Sequence, residues 1–515
     1  MYYRLLALIF LIPTALCAQM TWSSDIAEIV YSKCTACHND NGIAPFSLME
    51  HDLVTAVAFS IHDAVSSDYM PPWTADDSYQ SYAHSRALSP TQKANILGWI
   101  DDGMPLGNAE EVPPPPVYTN QGFIQAPPDL ELIMDMYTST ATFADDDYIC
   151  VSMPSGLLED KVLKAFEVVP GNPSILHHCL VYIDDSGNYP SNFGGNCTGP
   201  NNDEGLIGGY TPGSVPTVFP SNGEDINMGV TIPAGSNIVF AMHYPHGSAG
   251  EVDQTKIRMY FYDQEVEVRE VTTYPLLENW NFFVQPNTVQ DVAASLNNIT
   301  EDISILSVFP HMHLVGDYIK AYALDPDNDT IPLIRINNWD FEWQEFYFLE
   351  QIQVIPAGSD LRSEGAYDNT SSNLSNPNSP PLGIGPGLNT TDEMFLVYFH
   401  YLPYVDGDED IDLSELTQYP VGLSELELAE NSFLAVYPNP SAGLVTFDFD
   451  LKNSVNASLF IYNTQGELVE KIIENVQVPV GTYRGTWDSQ NVAPGVYFYS
   501  LMLEGKNYSG KIAVK

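Results

Sequence analysis

The chain is poor in positive charge: 18 Lys and Arg stand against 67 Asp and Glu, a formal net charge of −49. That balance excludes a protein that grips nucleic acid by its phosphates or is drawn to anionic membrane surfaces. Charged residues of both signs are only 17%, so the acidity reflects missing Lys and Arg rather than a polyelectrolyte tail. Long hydrophobic runs are missing after the first 18 residues, and no membrane span is expected. Long amphipathic helices are missing between 125 and 410, which turns attention to strands. Histidine is scarce, 11 in 515 residues, so any place where it clusters asks for a reason. What is present, 44% hydrophobic and 12% aromatic, is globular, and the length implies several domains.

Residues 1–18 read as a secretory signal: one positive charge in MYYR, the apolar LLALIFLIPTAL, and small residues closing it at Cys17-Ala18. Leu16 is a poor lipobox residue before Cys17, so cleavage after Ala18 is expected, and the mature chain is expected to be exported, secreted or at the cell surface.

Cys34-Thr35-Ala36-Cys37-His38 is a Cys-x-x-Cys-His motif, the attachment signature of c-type haem. Both thiols add to haem vinyl groups and the histidine becomes an axial iron ligand. Helical patterns run up to it in DIAEIVYSK, pass through His51 and His62, and close in QKANILGWIDDG. A thioether as second axial ligand gives a higher potential than a second imidazole. Met70 in DYMPPW is the first choice, with Met104 in DDGMPLG as its rival and Met49 too near the attachment helix. The segment resembles the small cytochrome c domains of exported bacterial proteins. The following Pro113–Pro116 run lies in a linker at 109–124, stiff enough to hold two domains apart.

Two sets of strands then follow, one through YICVSMP, KAFEVVPG, ILHHCLVYID and IVFAMHY, the other through SILSVFPHMHLVG, IKAYALDP, QIQVIPAG and MFLVYFHY. Within them, His311 and His313 at i and i+2 share one face of a strand and make a bidentate metal clamp. The pair His177-His178, His243 and Met394 add imidazoles and a thioether in apolar settings, which suit copper better than calcium or magnesium. Adjacent strand residues point to opposite faces, so His177 and His178 need a bulge or sharp twist to share an ion. His246 and His400 are expected to be bystanders.

In order, HH, HYPHG, HMH and DEM, with YICVSMP before them and GGYTPG at 208–213, resemble the copper type II, ascorbate-dependent monooxygenases. The resemblance implies two jelly-roll domains with one copper each. Carried over by position, it implies that His177, His178 and His243 bind an electron-supplying copper. It implies that His311, His313 and Met394 bind the copper where oxygen is activated. Peptide-amidating members carry an arginine where this chain has Phe309 and an asparagine where it has Leu396, whereas their tyrosine is kept as Tyr398, a candidate substrate contact. A C-terminal glycine peptide is therefore not the expected substrate, and a less polar molecule fits the altered wall better.

After signal removal five cysteines remain; haem takes two, and export favours one disulfide among the rest, expected between Cys150 and Cys197 with Cys179 a buried thiol. Asp406, Asp408 and Asp410 are spaced like calcium ligands but lack the glycine and closing glutamate of an EF-hand, so 405–431 reads as a solvated acidic linker. The last segment alternates cleanly, and YPNP with GVYFYSL and KIAVK resembles the C-terminal sorting domain of the type IX secretion system, which implies passage across the outer membrane.

The expected fold class is thus multidomain. A small all-α cytochrome c domain spans 20–108, two β jelly-roll or sandwich domains span 125–265 and 266–404, and an immunoglobulin-like β-sandwich spans 432–515. The expected function is a copper-dependent monooxygenase with two copper ions and haem c, hydroxylating a C–H bond of a small organic substrate with O2. Its partner is the secretion machinery, and its electron donor is not legible. The alternative is a non-catalytic electron-transfer or copper-binding protein on the same scaffold.

Overall fold

Ser89 starts the longest of the N-terminal helices, Pro90–Asp101. Its hydroxyl accepts from the Gln92 N–H, the Gln92 side chain returns to the Ser89 N–H, and Pro90 fills the first helical position. Shorter helices at Ala27–Lys33, His51–Ala56 and Ala58–Ser66 pack with it around the buried indoles of Trp22 and Trp99. The helices therefore stand where the periodicity puts them. The computed structural model describes residues 19–417 and 434–515, apart from 41, 43, 117–122, 125, 143–145, 194–196, 198, 201–204, 438–440, 442, 452–454, 464–467, 479–480, 494 and 504–505. The signal at 1–18 and the stretch 418–433 lie outside the described residues.

Four-stranded and six-stranded sheets form the first β-body. The four-stranded one runs Asp147–Pro154, Asn237–Tyr244, His178–Asp184, Leu206–Tyr210. The second body pairs two four-stranded sheets, Thr272–Glu278, Leu396–Pro403, Ile303–His311, Tyr347–Ile355 and Thr288–Leu296, Asp360–Asn369, Gly316–Leu324, Thr330–Ile336. Ile303–His311 is buried along almost its whole length because it is an inner strand covered on both faces, whereas Gly316–Leu324 alternates between buried and half-buried residues. One apolar cluster runs through both bodies, from Phe166, Val181 and Phe240 to Val308, Tyr347 and Phe399.

Three expectations need correction. The proline run does not hold the helical part at a distance, because residues 73–86 lie against the second β-body. There Ala75 bridges Ile336, Tyr82 bridges Leu349, and the Asp76 carboxylate accepts from the Arg335 guanidinium at 2.7 and 2.9 Å. Burial raises the pKa of Asp76, but hydrogen bonds from Ser78, Arg335 and Asn337 outweigh it and hold the carboxyl at about 2. The acidic stretch is likewise no solvated linker over its described part: Asp408 is 2% exposed and accepts from Arg269 at 2.6 and 2.8 Å and from Ser304 Oγ at 2.6 Å. Leu413 behind it is fully buried, and Asp412 bridges Gln351. The first body also reaches past the expected boundary at 265, since Arg269–Glu270 pairs with Met228–Ile232.

A buried ion pair fastens the entry into the first body. Arg258 Nη1 donates to Glu167 Oε1 at 2.6 Å and to the Ile124 carbonyl at 2.8 Å, and the Phe123 N–H donates to Glu167 Oε2 at 2.7 Å. Burial pushes the Glu167 pKa up, and only its backbone donors and Arg258 oppose that. Arg258→Met therefore strands a buried carboxylate and is expected to cost about 3–5 kcal/mol, most of it recovered in the double variant with Glu167→Met. Denaturant unfolding of the three proteins checks this; a double variant as weak as the single one contradicts it.

The C-terminal unit has its described residues from 434 to 515. Its sheets Leu434–Tyr437, Leu444–Leu451, Gly481–Asp488 and Leu468–Val478, Val455–Tyr462, Gly495–Leu503, Lys506–Val514 enclose a core of Phe447, Leu459, Trp487, Leu501 and Ile512. That is a β-sandwich, as its alternation requires.

Candidate functional site

His177, His178 and His243 come together with one ring nitrogen of each within 4.8 Å of the others. The objection from strand geometry dissolves because the strand begins at His178 and His177 precedes it, tied to its partner strand only by its N–H to the His243 carbonyl at 3.0 Å. Freed from the pleat, His177 turns to the same side. Nδ1 of His178 lies 3.3 Å from Nδ1 of His177 and 3.4 Å from Nδ1 of His243. A single imidazole proton cannot be aimed fully at two acceptors, whereas a cation at the common point satisfies all three lone pairs. Two imidazole nitrogens on one tetrahedral ion sit about 3.3 Å apart, which is the separation here. His243 Nε2 lies 3.0 Å from Asp146 Oδ2, the outer carboxylate that metal-bound histidines commonly have, and the His243 ring stacks on Tyr148 at 4.4 Å.

The second pair is prepared differently. His311 ends the Ile303–His311 strand and His313 follows in the next turn, their rings 5.0 Å apart and nearly perpendicular. His311 Nδ1 donates to Gln344 Oε1 at 2.6 Å and His313 Nδ1 to the Asp392 carbonyl at 3.1 Å, which leaves both Nε2 atoms with their lone pairs. Glu393 holds the turn: its carboxylate accepts from the His313 N–H at 2.8 Å and the Val315 N–H at 2.7 Å. Burial pushes the Glu393 pKa up to about 8 against these donors. Met394 is the next residue, its carbonyl accepting from Tyr367 OH at 2.9 Å. The antiparallel register pairs Phe309 with Tyr398 and ends at His311 with Leu396; continued by two residues it would set His313 opposite Met394.

Burial holds His311 at about 3 and His313 at about 4, and with neighbouring His243 it holds His177 at about 4. His178, buried beside His243 and His177, lies well below the ordinary value. All four are neutral at neutral pH, the form that binds metal. His246 is exposed, and His400 is buried with Nδ1 2.8 Å from Ser307 Oγ and its ring stacked on Phe346 at 4.2 Å. Both stand outside the two clusters. A cavity lined by Phe309, Gln344, Phe346, Phe348, Leu180 and Tyr210 reaches Gln344, the hydrogen-bond partner of His311, but His311 itself is not in its wall.

In the helical part, His38 Nδ1 donates to the Phe46 carbonyl at 3.1 Å, leaving Nε2 available, and Cys34 and Cys37 are free thiols. Gly213 of the GGYTPG loop meets this motif: at its φ of +80° a Cβ would lie 2.7 Å from Cys37 Sγ. The disulfide joins Cys150 to Cys197 with Cα atoms 5.1 Å apart, and Cys179 is a fully buried thiol pushed well up in pKa by that burial. Asp146 and Gln344 were not legible: both lie in irregular segments far from their histidines in sequence. Asp392 and Glu393 had a signal, standing directly before Met394.

The family models fall on the second body and the tail. The copper type II ascorbate-dependent monooxygenase C-terminal domain matches residues 287–413. Over those residues the second body is similar to that domain. DBH-like monooxygenase protein 2 of Mus musculus is 24% identical over 310 residues, 55% of this chain and 48% of its own length. The putative human protein of that name is 23% identical over 303 residues, 54% and 58%. DBH-like monooxygenase protein 1 of Mus musculus is 30% identical over 104 residues, 20% and 16%. The chain spans about half the length of the first two relatives. The secretion system C-terminal sorting domain matches residues 435–515, which indicates export to the cell surface or medium. Among the described residues no helix is long and apolar enough to cross a membrane.

Proposed function

We propose that the chain is an exported copper-dependent monooxygenase that hydroxylates a C–H bond of a small organic molecule with dioxygen and draws its electrons through a c-type haem. The observation that carries the reading is the pair of complementary donor sets. His177, His178 and His243 would hold one copper through converging Nδ1 atoms. His311 and His313 would hold the other through Nε2, with the Met394 thioether as third ligand. Bound copper supplies one-electron chemistry, and the soft thioether favours the reduced ion that meets oxygen.

The chain's own residues orient and shield. Gln344 and the Asp392 carbonyl fix the imidazole tautomers, and Glu393 anchors the turn that carries Met394. The cavity that reaches Gln344 offers the rings of Phe309, Phe346 and Phe348 to a substrate beside polar groups such as Glu345 and Thr217, and Tyr398 stands edge-on to Phe309. Haem fits the residues at 34–38, with His38 Nε2 as one axial donor. Arg86 supports this: its Nε is buried with no hydrogen-bond partner among the described residues, a donor available to a haem carboxylate. Arg86 also donates to the Pro72 carbonyl at 3.1 Å and lies 5.1 Å over Trp73. Arg86 thereby joins the Met70–Trp73 loop to this part of the chain, while Met104 packs with Cys34 and Phe46 around the helical core, so both thioethers stand as candidates for the second axial ligand.

The test is metal and haem analysis of the purified full chain with an oxygen-consumption screen over small organic substrates. Two coppers, one covalent haem with a sulfur–iron absorption band, and substrate-dependent oxygen uptake are expected. Copper and haem uptake with no oxygen consumption would make the electron carrier the better reading; no copper uptake would remove both.

A further inference from the structure

The segment Asp340–Phe346, between the second body's strands Thr330–Ile336 and Tyr347–Ile355, touches both histidine clusters that the proposed function uses. Its Phe341 ring stands edge-on to His178, with ring centres 6.3 Å apart and planes at 84°, and edge-on to His313, at 5.8 Å and 87°. One side chain thus touches one imidazole from each cluster. Trp343 lies 6.4 Å from His177, and Glu342 Oε2 is 3.9 Å from His177 Nε2. Gln344 closes the circuit: its Oε1 accepts from His311 while its Nε2 donates to the Phe341 carbonyl at 2.6 Å. The orientation of the His311 ring is therefore tied to the backbone of the residue that reaches His178.

Both ends of the segment are pinned. Before it, the Trp339 indole donates to the His313 carbonyl at 3.0 Å and its N–H to the Asp317 carbonyl at 2.7 Å. Inside it, Asp340 caps the turn by accepting from the Glu342 N–H at 2.9 Å. After it, Glu345 takes two hydrogen bonds from Arg86 of the helical part, at 2.5 and 3.0 Å, and Phe346 stacks on Phe309 at 4.8 Å. A loop fixed at so many points is a spacer rather than a tether.

We propose that Phe341 is a positioning residue that spans the two histidine clusters, fixes their separation and keeps water from between them. The inference rests on the copper reading. Electrons exchanged between the clusters would cross an aromatic ring rather than a water layer: one electron leaves the three-histidine cluster as one arrives at the His311–His313 pair, and no atom moves with it.

The test uses the full chain loaded with Cu(II) and reads the dipolar broadening of its paramagnetic resonance spectrum, which depends on the separation of the two ions and not on turnover. The parent is expected to show the broadening of a single separation. Phe341→Ala should keep two coppers per chain but shift or smear that broadening, and Phe341→Tyr should restore it. Phe341→Leu, which keeps an apolar side chain, guards against loss of fold and should give an intermediate spectrum. Alanine and leucine variants with the parent spectrum and full copper would overturn the bridge while leaving the copper reading intact. A parent that takes up fewer than two coppers, unchanged by His178→Ala or His313→Ala, would overturn both.

Discussion

Met394→Ala is expected to keep nearly two coppers per chain under saturating metal and to lose hydroxylation. The thioether is the weakest of the three proposed donors, so its removal leaves the binding of the ion mainly to two imidazoles. Those imidazoles do not depend on Met394 for their aim. His311 is oriented by Gln344 at 2.6 Å and His313 by the Asp392 carbonyl at 3.1 Å. The turn stays closed because Glu393 accepts two backbone N–H groups from it. What disappears is the soft ligand that favours reduced copper. Loss of an outer partner of a metal ligand typically costs about 10–100-fold in activity, and loss of an inner ligand should cost at least that. The comparison is with His313→Ala, which should lose one copper outright. Copper content and substrate-dependent oxygen uptake of the three proteins decide it. Parental turnover in Met394→Ala, or copper loss as complete as in His313→Ala, would show that the thioether does not have this role.

How much of this was legible depends on distance along the chain. The His311–His313 spacing, the His177-His178 pair and the Cys34-to-His38 motif are local patterns, and local patterns survive without a structure. The capping box at Ser89 and Gln92 is of the same kind. The Cys150–Cys197 bridge was reachable because so few thiols compete for it. Most of the differences are non-local. A stiff proline run predicts separated domains, yet Asp76 meets Arg335, 259 positions away, and no periodicity announces their meeting. Asp408 looked like one more solvated carboxylate until Arg269 and Ser304, from other strands, came to enclose it. Strand pleating correctly predicted that His177 and His178 oppose each other inside a strand; it failed only because the strand starts one residue late. The segment at 340–346 has no repeating pattern at all, since its side chains each answer to a different partner. Aromatic and polar residues in a connecting loop read as surface, and only the assembled bodies turn that loop inward.

Deleting residues 432–515 is expected to leave a folded chain that stops short of the cell surface. The matched sorting domain indicates export, and a secretory signal of the kind expected at 1–18 would bring the chain only across the first membrane. Folding of the remainder should survive because the described residues between 19 and 417 form a compact unit with a core of their own, which includes Phe166, Phe240, Val308 and Phe399. The tail closes its apolar faces on themselves, with Phe447, Leu459, Trp487 and Ile512 fully or almost fully buried in its own sandwich. Two independent cores make delivery separable from stability. The truncated protein should therefore keep its copper and its haem while accumulating in the periplasm. Cell fractionation and protease accessibility on intact cells measure delivery, and metal content measures folding. Normal surface delivery of the truncated chain would remove the sorting role. Loss of metal together with delivery would instead mean that the tail is needed for the fold, which two separate cores argue against.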